Sequence, residues 1–243
     1  MKAYSLCCVV IMVLLGARAS YAEVKDPVIY VPLRFHIIAS DDVEKNGKKL
    51  FCRVTEQDIQ AIVLPEINRI WRVANIQFYS ESVFKTDFAN PPNKQNLIKN
   101  IVNAQRDAMG KSDAKRIKKL NQLIDWKNHH TTAINIYLVP YLGEKSQGNA
   151  KAKMNRVFVT QWTDKMIARG EPPIQFALVE PLPFKQGSLS RTIAHEVGHI
   201  LGLKHPDKSL QTEFGLLMGG KKPGYSLTSE EITKARQRAG FWK

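Results

Sequence analysis

The sequence predicts an α/β (α+β) fold, with a twisted mixed sheet of about five strands and a backing helix. Three observations predict it. Short apolar, β-branched runs recur along the chain. Segments of helical periodicity stand between and after them. No internal repeat or low-complexity linker interrupts the series, so one domain is expected without a separate binding module. A hydrophobic content of 44% with 24% charged residues is ordinary for a soluble globular chain.

The first residues stand apart. Met1-Lys2 is a short basic start, Leu6 to Leu15 is apolar, and small residues end at Ser20-Tyr21-Ala22. That pattern reads as a secretory signal peptide over 1–22, cut after Ala22 and too short for a permanent membrane anchor. The mature chain, 23–243, is therefore expected outside the cell or in a periplasm. Cys7 and Cys8 leave with the signal, so Cys52 is the one cysteine remaining and no internal disulfide is expected. We read Cys52 as a small buried side chain, in preference to a reactive thiol or a masking metal ligand.

Val28–Ile38 is a strand, and too few residues precede it for an inhibitory prodomain. Thr55-Glu-Gln-Asp58 is a capping box, followed at helical spacing by Ile59, Ile62, Val63, Ile67, Ile70, Trp71 and Ala74. Pro65 is expected to kink that helix. Ile76–Tyr79 reads as the next strand. Residues 91–130 are polar and basic, with nine Lys or Arg against three Asp, and suit one or two helices. His129 and His130 at the end of this segment diverge in direction, as neighbours do, and are expected at the surface. Thr132–Val139 is nearly all apolar and reads as a central strand. Asn155–Thr160, with polar flanks, reads as a sheet edge, and Ile174–Val179 as the last strand.

The formal charge is +14, and +12 without Lys2 and Arg18 of the signal. Such an excess suits acidic polypeptides, envelope polymers, nucleic acid or lipid headgroups, or simply a solvated surface. The segment 91–130 supplies half of it and is the candidate contact for an anionic surface. No recognised nucleic-acid module accompanies the charge, so a specific nucleic-acid partner is not expected.

The most informative stretch is Thr192-Ile-Ala-His195-Glu196-Val-Gly-His199-Ile-Leu-Gly202-Leu-Lys-His205, which holds three of the six histidines. A helix beginning near Gly187-Ser188 puts Leu189, Ile193, Val197 and Ile200 on one face, with His195 and His199 roughly opposite. Gly202 can take the left-handed backbone that ends a helix and turn His205 back toward the other two. Three imidazoles leave a fourth zinc position open, which suits a catalytic site, and Glu196 stands close enough to handle a proton there. A bare H-E-x-x-H arises by chance; the extension to Gly202 and His205 makes chance a poor account.

This stretch resembles the zinc signature of the metzincin metallopeptidases, and Leu216-Leu-Met218-Gly is similar to the methionine turn of that family. The resemblance implies a two-lobed catalytic domain, upper lobe about 23–203 and lower lobe about 204–243. An active-site helix lies under the sheet, and a C-terminal helix begins at the capping box Thr228-Ser-Glu-Glu231. It implies one catalytic Zn²⁺ held by His195, His199 and His205, with Met218 as a structural floor. Glu196 is implied as general base and acid in peptide-bond hydrolysis, with a protein or peptide substrate lying antiparallel to the strand near 155–160. Several metzincins carry a tyrosine two residues after the methionine; here that position is Gly220, and Tyr225 is not assigned the role. Calcium-binding repeats and a cysteine-bearing prodomain are missing, so the subfamily stays open. The expectation is a secreted, monomeric zinc endopeptidase. Two alternatives remain: a zinc amidase acting on a non-protein polymer, and a basic surface-binding protein with a degenerate metal site.

Overall fold

The computed structural model describes residues 26–39, 43–45, 47–87, 121–142, 147–170, 173–174, 188–207, 215–219 and 224–242. The signal segment 1–22, residues 91–120 of the basic segment, Gly220 and all but Ile174 of the strand expected at 174–179 lie outside these residues.

Strand β1, Ile29–Ala39, is followed by a short antiparallel hairpin of β2, Val43–Lys45, and β3, Lys48–Leu50. Thr55 then caps a helix with its side chain on the Asp58 N–H, while the Asp58 carboxylate accepts the Thr55 N–H at 2.8 Å. That helix runs through α1, Glu56–Asp58, a π segment, Ile59–Val63, and α2, Leu64–Trp71. The Pro65 effect thus takes the form of a widened turn: Leu64 donates to Ile59 five residues back, just where the proline ring needs room and supplies no donor. A left-handed Asn75 (φ 49) ends the helix and starts β4, Ile76–Asp87, much longer than the four residues expected.

The remaining elements are β5, Ile134–Leu138; β6, Gly148–Lys151; β7, Arg156–Val159; and the helices α3, Asp164–Ala168, α4, Leu189–Ile200, and α5, Ser229–Ala239. The sheet has five strands in the order β4-β1-β5-β7-β6, parallel except for β6, which runs antiparallel to β7. The α/β mixed sheet is as expected, with β5 at its centre and every β5 residue buried.

The edge differs. Arg156–Val159 is interior and wholly buried, and Gly148–Lys151 is the edge strand beyond it. The polar flanks Asn155 and Thr160 mark the ends of a buried strand. The true edge, Gly-Asn-Ala-Lys, lacks the β-branched residues that announce a strand and forms because β7 offers it a ladder.

Side chains alternate across the sheet. Leu33, Phe35, Ile134, Ile136, Val157 and Val159 join the core shared with α2 and α4. Tyr137, Val139 and Phe158 point to the other face, covered by Leu50 of the hairpin, Leu123, Ile124 and Trp162. Among the described residues no helix is long and apolar enough to cross a membrane.

Candidate functional site

Ser188 caps α4, its hydroxyl accepting the Arg191 N–H at 3.0 Å. Leu189, Ile193, Val197 and Ile200 bury one side of the helix against the sheet, so His195 and His199, one turn apart, look out from the other. The helix stops as Gly202 enters the left-handed region (φ +85), with Gly202 donating to His199 and Leu203 to Gly198. That pair of bonds is the Schellman arrangement, which favours glycine at this position. The chain turns, and His205 comes back to the other two. The three ring centroids stand 4.9, 5.0 and 4.8 Å apart, nearly an equilateral triangle. One nitrogen from each ring lies within 4.8 Å of the others.

Hydrogen bonds fix which nitrogens face inward. Nδ1 of His195 lies 2.7 Å from the Leu217 carbonyl, Nδ1 of His199 2.9 Å from that of Leu203, and Nδ1 of His205 3.0 Å from that of Met218. A carbonyl only accepts, so each Nδ1 carries a proton and donates it, and in the neutral ring the lone pair is then on Nε2. Burial lowers the pKa of His195 to about 3, with Arg191 and the other two imidazoles adding to the effect. Burial likewise lowers His199. Three imidazoles held through Nδ1, with His195 and His199 kept neutral by burial, fit one zinc ion with a fourth position left open.

Glu196 is buried beside this triangle. Burial raises its carboxyl to about 8, opposed by the Ala150 N–H that donates to it and by the Arg191 cation. It lies flat on the edge strand: a Cβ on Gly148 would stand 2.4 Å from its Oε1. Met218 is fully buried, its sulfur 2.6 Å from where a Cβ of Gly198 would be. The glycine following Val197 therefore lets the methionine come up under the helix.

An open cleft of about 650 Å³ joins the three histidines and Glu196 to Gln147 and to Gly148, Asn149 and Ala150 of the edge strand. The structure places the three histidines, Glu196 and Met218 close together, and the strand beside them is β6 and not the segment 155–160. Three further contributors carry no sequence signal that sets them apart: Gly148, the Ala150 backbone and Arg191, whose side chain is buried against the loop carrying Met218.

The other candidates fall elsewhere. Cys52 packs half-buried against the main core, outside the histidine group, and burial pushes its thiol up to about 11. It is a packing residue with little thiolate at neutral pH. Tyr225 also packs on the core, beneath the Arg69 guanidinium, and does not line the cleft. His130 is exposed, but His129 corrects the expectation of a surface residue. It is half-buried, with Nδ1 3.0 Å from the Tyr137 hydroxyl and Nε2 3.1 Å from the Met154 carbonyl.

No family model matches the chain, and no curated protein matches it. Among solved structures it is similar to a zinc-dependent peptidase from Methanocorpusculum labreanum (strain Z), at 14% identity. That likeness covers 84% of this chain and 99% of the other with a TM-score of 0.36, too distant to bear on function.

Proposed function

We propose that the protein is a zinc-dependent endopeptidase, exported by its 1–22 segment and acting on protein or peptide substrates. One observation carries the reading: three imidazoles, each held through Nδ1 by a carbonyl, converge on one point beside a buried carboxyl in an open cleft. A zinc ion bound there supplies Lewis acidity and lowers the pKa of a water. His195, His199 and His205 hold it. Burial alone favours the protonated Glu196 carboxyl, and a zinc cation beside it would favour the carboxylate, which is the form that takes a proton from the attacking water and returns it to the leaving amine. The edge strand β6 offers backbone donors and acceptors along the cleft, which suits an extended peptide laid beside it. Met218 supports the histidines from below. We further propose a monomer in which the basic segment 91–130 contacts anionic surfaces, with 23–203 and 204–243 as the two lobes.

The test joins metal analysis to cleavage. Purified protein is expected to hold one zinc per chain and to cleave an unstructured protein, with loss of cleavage under a chelator and return on adding zinc. Glu196→Ala is expected to keep the zinc and lose turnover by at least about 100-fold. Cleavage at the wild-type rate by that variant would refute the role given to Glu196.

A further inference from the structure

The geometry points to Arg191 as a positioning residue for the metal centre: its guanidinium holds the Leu217 carbonyl that aims the first histidine. Arg191 stands one turn before His195 on α4 and is buried. Its Nε donates to the Gly224 carbonyl at 2.9 Å, and its Nη2 donates to the Leu217 carbonyl at 2.8 Å. The same Leu217 oxygen accepts Nδ1–H of His195 at 2.7 Å. One carbonyl thus serves a ligand and a guanidinium, using both of its lone pairs.

The next carbonyl along the chain, that of Met218, accepts Nδ1–H of His205. Two consecutive peptide groups therefore orient two of the three imidazoles. Arg191 fixes the first of those groups and also grips Gly224, where the chain returns on the far side of the loop. Gly224 lies so close to Gly215 that an added Cβ would stand 1.9 Å from the Gly215 carbonyl carbon. The described ends of this loop, Leu217 and Gly224, are thus both held by the guanidinium, which joins His195 in tying the loop to the histidine helix. A planar fork with fixed donor spacing can reach both carbonyls, whereas an ammonium is a single point. The outer hydrogen-bond partner of His195 is the Leu217 carbonyl, which Arg191 holds in place; such partners keep a ligand's tautomer and direction, and disturbing one weakens metal binding by about 10- to 100-fold.

This inference rests on the metal-binding part of the proposed function and is tested without turnover. Zinc affinity is measured by competition with a chromophoric chelator for wild type, Arg191→Met, Arg191→Lys and Arg236→Met, with folding checked by circular dichroism. Arg236 is the control, because its guanidinium also donates to backbone carbonyls, those of Ala74 and Pro27, on α5.

Arg191→Met is expected to weaken zinc binding about 10- to 100-fold, Arg191→Lys by less, and Arg236→Met not at all. The cobalt-substituted Arg191→Met protein is expected to show an altered visible spectrum. A folded Arg191→Met with wild-type affinity and spectrum would overturn the inference, as would an equal loss in Arg236→Met. Should Arg191→Met not fold, Arg191→Lys decides, and unchanged affinity and spectrum in that variant overturn the inference in the same way. Wild-type protein that binds zinc yet cleaves no peptide would refute the peptidase reading and leave this one standing; protein that binds no zinc would end both.

Discussion

At Gly148 a hydrogen in place of a methyl decides where Glu196 can lie. A Cβ there would fall 2.4, 2.5 and 2.6 Å from Oε1, Cγ and Cδ of the glutamate, so the whole carboxyl arm would have to move. Gly148→Ala is expected to lower kcat about 100-fold, the cost of roughly an ångström of misplacement, while zinc content stays at the wild-type value. Steady-state kinetics with metal analysis decides it; unchanged kcat would show that Glu196 works from another position. The histidines are legible in the sequence because their geometry is local: one helical turn and one glycine-ended cap bring them together. Gly148 and Arg191 are not, since what they touch lies tens of residues away. Arg191 is in register with His195, but no spacing rule says that Leu217 and Gly224 will meet it.

The elements that are legible carry their own punctuation. Thr55 and Thr228 each close a capping box, and both helices start where those boxes put them. Thr228→Ala removes the oxygen that accepts the Glu231 N–H at 3.2 Å. It is expected to cost about 1 kcal/mol in chemical denaturation and to leave zinc affinity unchanged, α5 being mostly exposed. Elements without such marks are harder. β6 contains no β-branched or aromatic residue and exists by virtue of its pairing with β7. The hairpin of β2 and β3 does have a signal, Asn46-Gly47, with Gly47 at φ +73, but its three-residue strands are too short and polar to stand out as apolar runs. The extension of β4 to Asp87 is likewise tertiary. Its polar outer half pairs with β1 past a bulge at Leu33/Arg34, and Arg34 there forms an ion pair with Glu81 at 2.8 Å.

Across the whole molecule, burying both faces of the sheet places a histidine where no proton is welcome. His36 of β1 is fully buried, stacked between Phe84 and Tyr137, with Nε2 3.2 Å from Asn135 Oδ1. Burial lowers its pKa to about 4; the Asn135 bond and Asp125 oppose this, and His129 and Arg34 add to it. Between about 6.5 and 4 the unfolded chain takes up a proton that the folded chain refuses. This group therefore subtracts stability as pH falls through that window, by up to about 3 kcal/mol once pH is below 4. Urea melts at pH 7 and pH 4.5 are expected to differ less for His36→Gln than for wild type. Equal differences would mean that His36 titrates normally in the folded protein.

The helix-and-turn that carries the three histidines also says something about the order of assembly. A cross-link between His195 and His205 closes a loop of only about ten residues, and closure entropy grows as the logarithm of loop length. Such a clasp restricts the unfolded chain very little. The strands, in contrast, must find partners far along the chain, as when β1 pairs with β5 across the register Leu33 to Ile134, and pairing of that range sets the pace of folding. Metal loading is thus suited to a late step, on a sheet and loop already in place, with the carbonyls of Leu217 and Met218 waiting for the rings they orient.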